Sequence, residues 1–202
     1  MRRKTFDALL TAGGAVLTVV LLVAGALLLW GANFANSQVH NQLAQQQITF
    51  PTAAALANAK PGTEVTPQMV PYLQKYAGQQ LTTGDQAEAY ADHFIANHLA
   101  AMPYGGVYSQ VSAASLAAPT NTKLAAEVQT VFRGTTLRGL LLEAYAFSKF
   151  GSIAQIASIC SFALAAVMLV LTGLGVWHLR RTTDEEVIVG LHTMSARELV
   201  SA

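Results

Sequence analysis

The 202-residue chain is poor in charge, nearly free of cysteine and without a chemical signature motif, and each lack removes a class of function. Only 11% of its residues are Asp, Glu, Lys or Arg, against roughly 25% in soluble domains, so membrane membership is the first expectation. A formal net charge of +1 supplies no field that would gather nucleic acid, and no nucleic-acid partner is expected. Cys160 is the only cysteine, which excludes a secreted domain stapled by disulfides within the chain. Gly105-Gly106 has neither the spacing nor the lysine of a phosphate-binding loop, and no G-x-S-x-G nucleophile elbow occurs.

What the chain does have is two long apolar runs. Ala8–Trp30 and Ile153–Trp177 are 23 and 25 positions without a charged residue, and a helix needs about 20 apolar residues to cross a bilayer core. Trp30 and Trp177 each close a run, where an amphipathic ring suits the membrane interface. The first run follows Arg2-Arg3-Lys4 like a secretory signal. It is longer than the usual h-region and lacks a small-x-small cleavage site, so it reads as a retained anchor. Arg2, Arg3 and Lys4 before the first run and Arg180 and Arg181 after the second place both termini in the cytoplasm, since basic residues accumulate on that side. The expected architecture is an all-α membrane protein. It comprises a cytoplasmic N-terminus (1–7), a first transmembrane helix (8–32), a helical extracytoplasmic domain (33–152), a second transmembrane helix (153–177) and a cytoplasmic tail (178–202).

Neither run contains an ionisable group of the kind that marks ion paths and proton relays, so a transporter or channel acting alone is not expected. Small residues recur instead. Gly14, Thr18 and Gly25 form one stripe and Ala154, Ser158, Ser161 and Ala165 another. Such stripes let helices approach closely, here on each other or on a partner's helices; abundant Ala and Gly would also produce them by composition alone. Cys160 falls inside the second run, where a thiol is expected to be buried and inert.

The middle segment is polar but scarcely charged, with 34 Ser, Thr, Asn or Gln against 12 charged residues over 35–152. Ala32, Ala35, Val39 and Leu43 continue a helical stripe out of the first run, and Leu137, Leu140, Leu141, Ala144 and Phe147 lead into the second; together they suggest a packed stalk. Prolines punctuate the region between. Helices are expected to begin near Pro71 and near Asn121-Thr122, and Gly134 reads as a helix stop. Sustained alternation of β-branched residues is missing, so strands are not expected.

One stretch, Thr82 to Leu99, crowds two histidines, three carboxylates and a tyrosine together. Thr83-Gly84-Asp85-Gln86 fits a capping box, and Ala87, Tyr90, Ala91, Phe94, Ile95 and Met102 then follow at helical spacing. At about 100° per residue, His98 falls on the apolar face and His93 about 140° away, so one helix cannot aim both at a metal. His98 is expected to be a hydrogen-bonded core histidine, and Glu88 and Asp92 a solvated face. No catalytic residue, metal site or cofactor is expected. In the tail, Thr182 and Thr183 stand between two arginines and Asp184-Glu185-Glu186. That pattern suits a second capping box with Thr183 and Glu186, or phosphorylation beside the arginines. Ser195-Ala196-Arg197-Glu198 suggests a short terminal helix.

The combination of "MRRKTFDALLTAGGAVLTVVLLVAGALLLWG", "KYAGQQLTTG", "FRGTTLRGLLLEAYAF" and "WHLRR" resembles a family of actinobacterial two-span integral membrane proteins of unknown function. The resemblance covers most of the chain and implies a cell-envelope location, with no catalytic residue to carry over. Some members are described as aromatic ring-opening dioxygenases; that chemistry needs two histidines and a carboxylate on one iron face, a set this sequence does not supply. The leading expectation is a structural or accessory subunit of a cell-envelope membrane complex, held by the bilayer and by other subunits or self-association. The alternative is a ligand-binding or sensory module signalling through the tail.

Overall fold

A computed structural model describes residues 3–181; the expectations at Thr182, Thr183 and Ser195 to Glu198 lie outside them. Seven α-helices run through the described residues: α1 (Arg3–Gln45), α2 (Ala53–Ala57), α3 (Val70–Leu73), α4 (Gly84–Ala89), α5 (Ala96–Ala100), α6 (Tyr108–Ala117) and α7 (Thr122–Arg181). A single antiparallel bridge, Thr49 to Gln80, is the only extended pairing among the described residues. Two helices, α1 and α7, are long and apolar enough to cross a membrane. The chain divides into two compact units, one of Met1–Leu29 with Ile156–Ala202 and one of Trp30–Gln155.

The Trp30–Gln155 unit has an apolar core. Val39 and Leu43 of α1 are buried with Phe50, Leu56, Met69, Leu73 and Leu81, and with Val111, Val131 and Leu141. Phe50 anchors it, with its ring centroid 5.1 Å from that of Tyr76 and 5.4 Å from that of Tyr90. Each such side chain contributes on the order of 1.5–3 kcal/mol on leaving water. The Ala32, Ala35, Val39 and Leu43 stripe is buried along its whole length.

The opening of α4 follows the sequence signal. Gln86 N–H donates to Thr83 Oγ1 at 3.3 Å, and the Gln86 side-chain oxygen accepts from Thr83 N–H at 3.0 Å. The Gln86 oxygen also accepts from Thr82 N–H at 2.8 Å, so the reciprocal cap satisfies three backbone donors. Beyond it the regular helix gives way to a π-helical turn at Tyr90–Ile95 before α5 resumes. The expected face is kept: Ala87, Ala91 and Ile95 are buried, and Tyr90, Phe94 and Met102 are half-buried against the core. Leu99 is buried as well. His98 is only partly buried, at the edge of the core, with Nδ1 2.8 Å from the Phe94 carbonyl oxygen.

Two expectations need correction. Gly134 does not stop a helix, because α7 passes through it. A Cβ at that position would stand 2.8 Å from Leu99 Cδ2, so the residue is small to admit Leu99. The stripe expected to pack along α7 also divides: Leu141 is buried, whereas Leu140 and Phe147 are exposed. The inward face of α7 is built from Val131, Gly134, Leu141 and Gly151. Helix α7 starts where Asn121 Oδ1 accepts from Leu124 N–H at 3.0 Å, and Pro71 sits in the first turn of α3, both as the sequence suggests.

Candidate interaction surfaces

In the Met1–Leu29 with Ile156–Ala202 unit, two antiparallel helix segments meet along a seam of small residues. On α1 the inward positions are Thr11, Gly14, Thr18, Leu21, Gly25 and Leu28, and on α7 they are Ser158, Ser161, Ala165, Met168, Thr172 and Gly175. Steps of three and four alternate on both sides, the 3.5-residue repeat that keeps one face of a helix on its partner. The glycines set the separation. A Cβ on Gly14 would stand 2.7 Å from Thr172 Oγ1, one on Gly25 2.9 Å from the Phe162 ring, and one on Gly175 2.7 Å from Thr11 Oγ1.

Close approach permits hydrogen bonds from side chain to backbone across the seam. Ser158 Oγ donates to the Gly25 carbonyl oxygen at 2.8 Å and Ser161 Oγ to that of Leu21 at 2.7 Å. Thr18 is buried but turns back to the Gly14 carbonyl of its own helix at 2.8 Å. Five of the small residues singled out from the sequence, Gly14, Thr18, Gly25, Ser158 and Ser161, thus share one interface, and Ala165 is buried in the same seam. Ala154 is half-buried and belongs to the other unit. Thr11, Leu21, Leu28, Met168, Thr172 and Gly175 were missed, although the same alternation of three and four reaches them. The outward faces are apolar: Leu10, Val16, Leu164, Leu169 and Val170 are all more than half exposed. Cys160 is exposed as well rather than buried.

The Trp30–Gln155 unit carries a groove of about 400 Å³ between α1 and α7. Gln38, Gln42 and Gln46 form one wall, Leu137, Leu140, Ala144 and Phe147 the other, and Glu143 is its only charged residue. Exposed large apolar side chains continue beyond it at Phe132 and Phe150.

The polar residues around the π turn make structural contacts. Asp92 Oδ1 accepts from Arg138 Nη2 at 2.6 Å in a partly exposed ion pair. His93 stacks on Tyr72 with ring centroids 3.5 Å apart, while His40 is exposed on α1. Among the described residues, no group of three or more His, Cys, Asp or Glu is placed to hold a metal ion. Burial pushes the Tyr90 phenol above its usual range, helped by the nearby negative charge of Glu64. A hydrogen bond from Lys149 to Asp85 at 2.9 Å lifts the lysine's pKa on the exposed surface. No family model, curated protein or solved structure matches the chain.

Proposed function

We propose that the protein is a structural or accessory subunit of a bacterial cell-envelope membrane complex. In this reading α1 and α7 cross the membrane as a packed pair, both termini are cytoplasmic, and residues 33–152 lie outside. The observation that carries the reading is the groove of the Trp30–Gln155 unit, whose α7 wall exposes Leu137, Leu140 and Phe147. Contiguous exposed apolar surface on a folded unit marks an interaction site, and here it lies beside exposed Phe132 and Phe150. Small-residue packing supports the membrane half of the reading, because lipid offers no hydrophobic drive and close contact must supply the association. The resemblance to actinobacterial two-span proteins points to the same location. The test is gentle detergent extraction of the tagged protein from its native membrane, followed by mass measurement of the intact particle. A discrete assembly with other membrane subunits is expected, and a clean monomer would overturn the proposal.

A further inference from the structure

The outward face of α7 repeats the spacing of a helix seam with nothing packed on it. Arg133, Thr136, Leu140, Glu143, Phe147 and Phe150 follow at steps of three, four, three, four and three, and all six are exposed. A helix keeps a 3.5-residue repeat facing one direction when another helix lies along it. Three of the six are large and apolar, and Leu140 and Phe147 also line the groove. The two charged positions, Arg133 and Glu143, have no ion-pair partner among the described residues. They stand ten residues apart, about 15 Å along the helix axis.

We infer that this seam docks an amphipathic helix of a different subunit, one carrying a base at the height of Glu143 and an acid at the height of Arg133. Leucine-like side chains between them would meet Leu140 and Phe147, and an uncharged polar edge would meet Gln38, Gln42 and Gln46. The inference rests on the subunit reading above, and the charges select the occupant. Two copies of this chain threaded the same way through one membrane can pair by a twofold axis only along the membrane normal, which leaves each residue at its own depth. That symmetry sets Glu143 against Glu143 and Arg133 against Arg133 in a patch centred on this seam, and like charges face to face are strongly disfavoured. A different chain with the opposite charge order meets no such penalty.

The test uses the full chain in lipid nanodiscs and three synthetic helical peptides. Each peptide has leucines at 3.5-residue spacing, glutamines elsewhere, and two charged positions ten residues apart filled by one Lys and one Glu, by two Lys, or by two Glu. Either binding direction then gives the same ranking. The parent should bind the mixed peptide about tenfold more tightly than either like-charged one. Glu143→Lys should shift the preference to the two-Glu peptide, and Arg133→Glu to the two-Lys peptide. Both variants change exposed side chains, so retained helicity by circular dichroism confirms that they fold. Equal binding of all three peptides to all three chains would overturn the inference. So would photo-crosslinking from benzoylphenylalanine at position 147 in native membranes that yields only adducts of twice the chain's own mass. A parent that extracts as a heteromeric assembly yet ranks the peptides equally would sink this inference alone; a parent that extracts as a monomer would sink the subunit reading beneath it.

Discussion

The two units of the chain are built inside out relative to one another. In the Trp30–Gln155 unit the large apolar side chains, Phe50, Met69, Leu73 and Leu81 among them, are fully buried. In the Met1–Leu29 with Ile156–Ala202 unit they are outside, while Thr18, Ser158 and Ser161 are buried. Water explains the first arrangement, because removing apolar area from it is the main favourable term in folding. It cannot explain the second, which would leave a surface of leucine and valine in solvent. Lipid can. With no gain from hiding a leucine among acyl chains, the interior goes to the residues that allow the closest backbone contact and a shared hydrogen bond. One unit thus has a core of large side chains and the other a core of small ones.

Opposite substitutions should accordingly damage the two units. The largest effect is expected from Phe50→Ala, which empties the centre of the apolar core and should destabilise the Trp30–Gln155 unit by about 3–5 kcal/mol in denaturant titration. Enlarging the seam comes next. Gly25→Leu, or Ser158→Leu with Ser161→Leu, should keep the chain in the membrane but force the helices apart, at about 1–3 kcal/mol. Cysteine pairs placed across the seam would read this as lost crosslinking. Leu169→Ile and Val170→Leu, on the exposed side of α7, should leave that crosslinking unchanged; if they disrupt it as much as the serine pair does, the seam has been misplaced.

Smaller effects sharpen the contrast further. Ser158→Ala with Ser161→Ala removes two hydrogen bonds without adding bulk and should cost about 0.5–1.5 kcal/mol for each, in line with polar contacts between helices in lipid. Asp92→Asn should cost about 0.5–1 kcal/mol, since the Arg138 pair is partly exposed and solvent screens it. Tyr90 offers a pH signature. Its folded pKa is raised, so the stability tied to its neutral phenol is complete below the ordinary tyrosine value near 10 and is lost as pH climbs through the folded value. Ultraviolet titration should show a late-ionising phenol, and Tyr90→Phe should remove that component.

Much of this arrangement was legible in the residues and some was not. The capping box at Thr83 to Gln86 and the buried Ala32, Ala35, Val39 and Leu43 stripe depend on local spacing, which a sequence displays directly. The π turn at Tyr90–Ile95 was not legible, because a shift from 3.6 residues per turn leaves no mark in composition. His98, expected in the core, is only partly buried. Gly134 misled for a related reason: a glycine that ends a helix and one that admits a neighbouring Leu99 look alike until the neighbour is known. The exposed seam of α7 was hidden by its own leucines. Leu140 and Leu141 are adjacent and equally apolar, and only the fold separates the inward one from the outward one.

The account turns on lipid surrounding one unit and water the other, and Cys160 tests this with no mutation at all. Its side chain is exposed on α7, so steric access alone would let a water-soluble maleimide reach it. In native membranes the thiol should stay unreacted and become labelled only after the bilayer is dissolved in denaturing detergent. A cysteine introduced at Thr122, exposed at the start of α7 and away from the groove, should label readily in the same membranes. Labelling of Cys160 in intact membranes at the rate of the Thr122→Cys site would contradict the account.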